Sequence, residues 1–311
     1  MRKTALKKVG ELVTNNEKII FIGSDLTAGT LKSVKEFYPS RVLIEGIAEQ
    51  HLIGFASGLA LEGFFPIVHT ISPFIYRRGL EQLIVDCALQ NVPVTFLASG
   101  GGLVYTPLGP THVAIDDFAH LTPVPNLNLI APCDPLEMEI VLELITISKN
   151  PNYIRVAKGG EPVISGDWEN LSFGRSRMVK KGEKLAVIST GSITHEVVKS
   201  LERLAIESIN VTLVHFPYLR PFDDEAVRKL NEEYDNILVV EEHIEFGGLL
   251  SLVLHAIKNS AQSKIFSLNV PFKFTSNYGN QSEHLEEYGL DSKGIEIMIR
   301  RIISGEVVNE I

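Results

Sequence analysis

RVLIEGIAEQHLIGFASGLALEG, residues 41–63, decides how this chain is read. RVLIE (41–45) is a short apolar run of the kind buried on both faces of a parallel sheet, and Gly46 ends it. From Glu49 to Leu61 the apolar residues return at a helical period. Strand, turn, helix is one half of a βαβ unit, and in such sheets chemistry gathers beyond the carboxyl ends of the strands. Glu49 stands at that place. It reads either as a first-turn carboxylate favoured by the helix dipole or as a functional acid. Gly54-x-x-x-Gly58, further along, allows close approach of a second helix, although this motif alone is a weak signal in a soluble chain.

The same alternation runs outward in both directions. IIFIG (19–23), PIVHTI (66–71), PVTFLA (93–98), LNLIAP (127–132) and YIRVAK (153–158) read as strands, with helices at 3–13, 76–89 and 135–147. Residues 159–184 turn rich in Gly, Ser and charge. The alternation then restarts at LAVIST (185–190) and continues through NVTLVHF (210–216), NILVVEE (236–242) and KIFSLNV (264–270), with helices at 194–207, 223–233 and 248–258 and two short helices at the end. The expected fold is α/β with two domains in series: 1–165, a linker at 166–184, and a smaller domain at 185–311.

Composition narrows the function. Across 311 residues, 29 Lys and Arg against 38 Asp and Glu give a net charge of −9. That balance disfavours a general nucleic-acid binder, whose affinity rests on cationic neutralisation of phosphate. The two cysteines, Cys87 and Cys133, form no CxxC, which fits a reducing, cytoplasmic compartment. The opening MRKTALKKVGELVTNN has no apolar signal region, and the most apolar stretch, 54–75, is broken by Glu62, Gly63, Pro66, His69 and Pro73, so no membrane span is expected. Neither zinc spacing, HExxH, GxSxG nor a nucleotide-binding glycine motif is present, and no metal ligand is assigned to this chain.

Within the strand-end loops a few side chains stand out. His112, in Gly109-Pro-Thr-His, is placed for proton transfer. Gly100–Gly102 could approach a phosphate closely. Arg77, Arg78, Arg155 and Lys158 are cations near strand ends; any one of them reads first as surface, but Arg155 interrupts an apolar strand and needs a partner or ligand. Phe74 reads equally as core or as a platform for a flat heterocycle. Glu242 and His243 end a strand of the second domain and read as helix capping and loop support.

Taken in order, GSDLT (23–27), GIAEQH (46–51), SPF (72–74), GPTH (109–112), PNLNLIAPCDPLE (125–137), TGS (190–192), YLRPFD (218–223), EEH (241–243) with Gly247-Gly248, and YGL (288–290) resemble the C-terminal half of the thiamine-diphosphate enzymes of the transketolase family. GIAEQH is most similar to the 1-deoxyxylulose-5-phosphate synthase version. The resemblance covers nearly the whole chain. It implies a pyrimidine-binding domain followed by a transketolase C-terminal domain, and transfer of a two-carbon unit from a ketose or 2-oxo acid to a carbonyl acceptor. It also implies roles. Glu49 matches the glutamate that hydrogen-bonds the aminopyrimidine and so promotes loss of the thiazolium C2 proton. Phe74 matches the aromatic that stacks on the pyrimidine, and Asp25 and Ile47 fall in cofactor-contacting segments. His112 matches a histidine facing the substrate. Arg77, Arg155, Lys158 and His51 fall at substrate-contacting positions, and Arg2 is a further match to a phosphate-holding arginine.

The departures carry information too. Leu108 stands where the sister groups carry an aspartate, a histidine expected near Gly100 is missing, and the Phe74 helix carries one extra residue. A different donor or acceptor, such as pyruvate or a modified sugar, follows from these. The family's Gly-Asp-Gly…Asn motif, which holds magnesium and the diphosphate, has only Gly166–Asp167 followed by Trp168 as its counterpart. The resemblance therefore implies a partner, an N-terminal subunit that carries the Mg²⁺ and diphosphate site, in a heterotetramer with two copies of each chain. The rival readings are the β subunit of a 2-oxo-acid dehydrogenase and a structural or regulatory protein that keeps the fold without catalysis.

Overall fold

In Ile19–Gly23 (β1) every residue is buried, and successive side chains feed opposite sides of a sheet: Ile20 and Ile22 join one core, Ile19 and Phe21 another. This is why the strands read as continuous apolar runs rather than as alternations. The structure, a computed structural model, describes residues 1–27, 29, 31–164 and 171–306. The Gly166–Asp167–Trp168 step lies outside the described residues.

The first sheet also contains Val42–Ile44 (β2), Phe65–Ile71 (β3), Thr95–Ser99 (β4), Asn128–Ile130 (β5) and Asn152–Val156 (β6). The second contains Arg177–Lys180 (β7), Ala186–Ser189 (β8), Thr212–His215 (β9), Asn236–Val240 (β11) and Lys264–Leu268 (β12). The strand orders are β10-β5-β6-β4-β3-β1-β2 and β12-β11-β8-β9-β7, where β10 is Tyr218–Arg220. Helices cover both faces of each sheet. In the first domain Glu49–Leu61 packs on one side, and Arg2–Asn15 and Pro135–Leu144 on the other. In the second, Thr194–Ile206 and Ser292–Ser304 oppose Asp224–Glu233 and Leu249–Ile257. This is the α/β architecture expected. Among the described residues no helix is long and apolar enough to cross a membrane, and both cysteines are buried and free.

The structure corrects four expectations. β7 lies inside the segment read as linker and pairs antiparallel with β9. β10 comes from the second domain's sequence yet pairs antiparallel with β5, completing the edge of the first sheet. The last helix runs thirteen residues and is not short. The helix expected at 76–89 is built from two π-helical stretches, Phe74–Arg78 and Leu83–Ala88, around Leu80–Gln82. A π turn carries one residue more than an α turn, and so widens the helix locally. Close helix contact also falls elsewhere than expected. A Cβ on Gly58 would meet open space and one on Gly54 only ordinary contact at 3.6 Å, whereas one on Gly79 would lie 2.3 Å from Ile53. Gly79, between the first π-helical stretch and Leu80–Gln82, is the residue that lets this segment sit against Glu49–Leu61.

Candidate active site

The strand order places a topological switch at β1 and β3: the chain leaves β1 toward β2 on one side and returns to β3 on the other. The crevice beyond their carboxyl ends receives Glu49 from the segment after β2, Phe74 from the segment after β3, and His112 from the loop after β4.

Glu49 opens its helix and is 1% exposed. The Thr70 hydroxyl at the end of β3 donates to its Oε1 at 3.2 Å, and Arg78 donates to Oε2. The Phe74 and His112 rings meet edge to face, 5.2 Å between centroids. Burial, with the Arg78 charge nearby, lowers the His112 pKa from its ordinary value and favours the neutral ring. Its Nδ1 lies 2.9 Å from the Thr111 hydroxyl. The structure thus brings Glu49, Phe74 and His112 together through Arg78, whose guanidinium carbon lies 4.2 Å from the Phe74 centroid.

The remaining candidates divide. Ile47, 66% exposed, and Leu108, 53% exposed, present apolar side chains to solvent. Asp25 is exposed in a 3-10 turn, where its carboxylate accepts from the Leu26 N–H. His51 is exposed on the Glu49 helix and stacks on Phe55. Arg77 binds Asp116 at 2.7 Å and the Val113 carbonyl at 3.3 Å, so it braces the loop that carries His112. Arg2 donates to the Tyr105 hydroxyl. Lys158 lines a separate cleft between the domains with Glu161, Glu196 and Lys199.

Arg155 is placed differently from the expectation of a substrate-facing cation. It is buried, bidentate to Asp117, and donates to the carbonyls of Ala114 (2.9 Å) and Glu242 (3.2 Å). Its donors are spent on the protein itself, at the seam between the domains. The glycine run serves the same seam and is not a phosphate cradle. A Cβ on Gly101 would lie 2.1 Å from Arg155, and one on Gly102 would lie 2.5 Å from Glu242. Glu242 accepts from the Leu103 N–H at 2.7 Å and from Gln281 at 2.8 Å. The helix capping expected of Glu242 and His243 falls to Glu241, which accepts from the N–H groups of Leu249 and Leu250.

Two buried histidine clusters escaped the sequence reading. Cys133, Glu137 and His215 bring ligand-type atoms within 4.8 Å of one another. Arg177 lies 3.5 Å from the sulfur and 4.0 Å from the Glu137 carboxylate, so positive charge is already supplied. Burial and the adjacent carboxylates push the Cys133 thiol well up. Burial works against the charged Glu137, yet His215, the Cys133 N–H and Arg177 together hold it below its ordinary value.

His69, on β3, bridges Thr27 at 2.7 Å and Ser99 at 2.8 Å and so ties the ends of three neighbouring segments. Burial, then the Arg2 charge, lowers its pKa from 6.5 to about 3. Between those values the unfolded chain takes up a proton that the folded chain refuses, so acid destabilises the fold, and the contribution is complete only above 6.5. His69→Gln is expected to remove this linkage. Its loss of stability between about pH 6.5 and 4.5 should be smaller than that of the wild type by roughly 2–3 kcal/mol in urea melts. Parallel pH profiles of the two proteins would refute it.

Sequence comparison matches what the geometry defines, a cofactor-type α/β domain joined to a second α/β domain. Residues 1–160 match the family described as "Transketolase, pyrimidine binding domain", and residues 174–295 match "Transketolase, C-terminal domain". The chain belongs to the transketolase family. It is 33% identical over 291 residues to a 1-deoxy-D-xylulose-5-phosphate synthase of Dehalococcoides mccartyi, covering 92% of this chain and 46% of that protein. To the enzyme of the same name from Vibrio vulnificus it is 34% identical over 281 residues, covering 89% and 44%. The chain spans about half the length of the curated relatives it matches. A solved structure described as "Split gene transketolase, inactive beta4 tetramer" superposes with a TM-score of 0.88 at 25% identity, covering 98% of this chain and 99% of that one. A transketolase from Campylobacter jejuni shares the fold at TM-score 0.78 and 18% identity, over 96% of this chain and 46% of that one.

Proposed function

We propose that this chain is the C-terminal subunit of a thiamine-diphosphate-dependent enzyme that moves a two-carbon unit from a ketose or 2-oxo acid to a carbonyl acceptor. A separate N-terminal subunit holds the Mg²⁺ and the diphosphate. The observation that carries the reading is the buried Glu49 carboxylate beside the Phe74 ring at the switch-point crevice. This donor set fits a flat nitrogen heterocycle: a fixed acceptor for a ring N–H, and an aromatic face to stack on. Thiamine diphosphate supplies the electron sink for breaking and remaking a carbon–carbon bond beside a carbonyl.

The chain's own residues do the rest. Glu49, pinned by Thr70, holds a proton at the ring nitrogen. Phe74 fixes the ring plane. His112, whose neutral form burial favours, accepts or returns the proton of a substrate hydroxyl, and Arg77 keeps its loop in place. The split arrangement draws support from the split-gene neighbour, which matches this chain end to end, and from the bare apolar side chains of Ile47 and Leu108. Two copies of each chain, a heterotetramer, suit a site shared between chains.

Calorimetry tests the proposal. The lone chain is expected to bind thiamine diphosphate weakly, and Mg²⁺-dependent binding should appear when a chain bearing the Gly-Asp-Gly motif is added. Tight Mg²⁺-dependent binding by the lone chain would overturn the split site. Binding that stays absent after assembly would overturn the cofactor assignment.

A further inference from the structure

Phe74 and Arg78 are four residues apart in one π-helical stretch, and this brings the guanidinium back over the ring. A guanidinium is planar, cationic and edged with N–H donors, which also describes a protonated aminopyrimidine. Its two contacts are the two that the cofactor ring requires: the face of Phe74, at 4.2 Å, and a carboxylate oxygen of Glu49. Two flat cationic groups cannot hold both contacts at once.

We propose that Arg78 is a stand-in ligand, competing with the cofactor's pyrimidine ring for Phe74 and Glu49 and swinging out when that ring binds. The inference rests on the cofactor reading above and adds a residue that neither the sequence motifs nor the comparisons assign. Exposure is distributed to match. Glu49 is buried and held by Thr70, whereas the Arg78 side chain is 39% exposed and reaches in from solvent. A buried carboxylate without a partner is costly, and the arginine supplies Glu49 with a counter-ion in the crevice. His112 shares this corner, its ring crossing Phe74 edge to face and its pKa lowered partly by Arg78, so departure of the arginine also relieves that histidine. In the series, Arg78 is a positioning residue and a competitor, not a group that touches substrate.

The test compares the assembled two-chain complex with the same complex carrying Arg78→Met, which keeps an apolar stem and loses the flat charged head. Thiamine diphosphate with Mg²⁺ is titrated by calorimetry and its association followed by stopped-flow fluorescence. Removing a competitor raises the fraction of binding-competent sites, so Arg78→Met is expected to bind roughly tenfold more tightly. Unchanged or weaker binding, with wild-type binding intact, overturns the stand-in alone and makes Arg78 a bystander or a cofactor contact. Binding absent from both complexes overturns the cofactor reading and the stand-in with it. Stability of the single chain gives a second readout. Glu49→Gln and Arg78→Met, alone and combined, are expected to be non-additive in urea melts, and additivity would show that the contact does not form.

Discussion

In the assembled enzyme, Glu49→Gln is expected to slow hydrogen–deuterium exchange at the cofactor's C2 carbon by about 10²–10⁴-fold, the usual weight of a positioned acid or base. The amide matches the carboxylate in shape and can still accept from Thr70, whose hydroxyl lies 3.2 Å from Oε1. It cannot hold a proton at a ring nitrogen. Because the helix Glu49–Leu61 owes its place to Leu52, Ile53, Ala56 and Ala60 in the core, the substitution leaves the fold in place. Loss of exchange should therefore come with normal assembly and a normal circular dichroism spectrum. Exchange at the wild-type rate, read by acid quench and NMR, would remove Glu49 from the mechanism.

Asp117→Ala is expected to cost about 3–5 kcal/mol of stability and to lower the midpoint of thermal unfolding by roughly 5–10 °C. Asp117 is fully buried, receives two Arg155 donors, and accepts from the Tyr153 hydroxyl at 2.9 Å. Truncating it leaves a guanidinium buried against Phe118 without its counter-ion. The same arginine bonds the Glu242 carbonyl of the second domain, so the loss should fall on the seam between domains. Replacing both partners, Asp117→Leu with Arg155→Met, should recover most of the stability, since a well-packed apolar pair has no charge to strand. A wild-type melting curve for Asp117→Ala would show that the pair does not hold the domains together.

The fold was legible where local pattern and tertiary burial agree. Glu49–Leu61 was read to the residue, because a strand-ending glycine, a first-turn acid and a helical apolar period coincide there. β7 and β10 were missed for a physical reason. Each is four residues or fewer, and each is stabilised by a partner distant in the chain, His215 in one case and Ile130 in the other. The three residues proposed as the core of the candidate site, Glu49, Phe74 and His112, are singled out by motif order, and the fold brings them side by side. Their polar setting was not legible in this way. Thr70 lies inside a strand reading and Asp116, which fixes Arg77, inside an unremarked loop, and their relevance depends on segments brought side by side. Arg78 carried a faint signal, a cation one helical turn beyond an aromatic residue, which a π turn converts into direct stacking. Arg155 shows the opposite error: a charge in an apolar strand does need a partner, but the partner was internal.

The antiparallel strand Tyr218–Arg220 is lent by the second half of the polypeptide to the first. Cutting the chain in its polar midsection would leave Asn128–Ile130 with naked amides and carbonyls, a template for sticking to other molecules. The two lobes are thus stitched together along one sheet edge, and the first is left incomplete when the second is cut away.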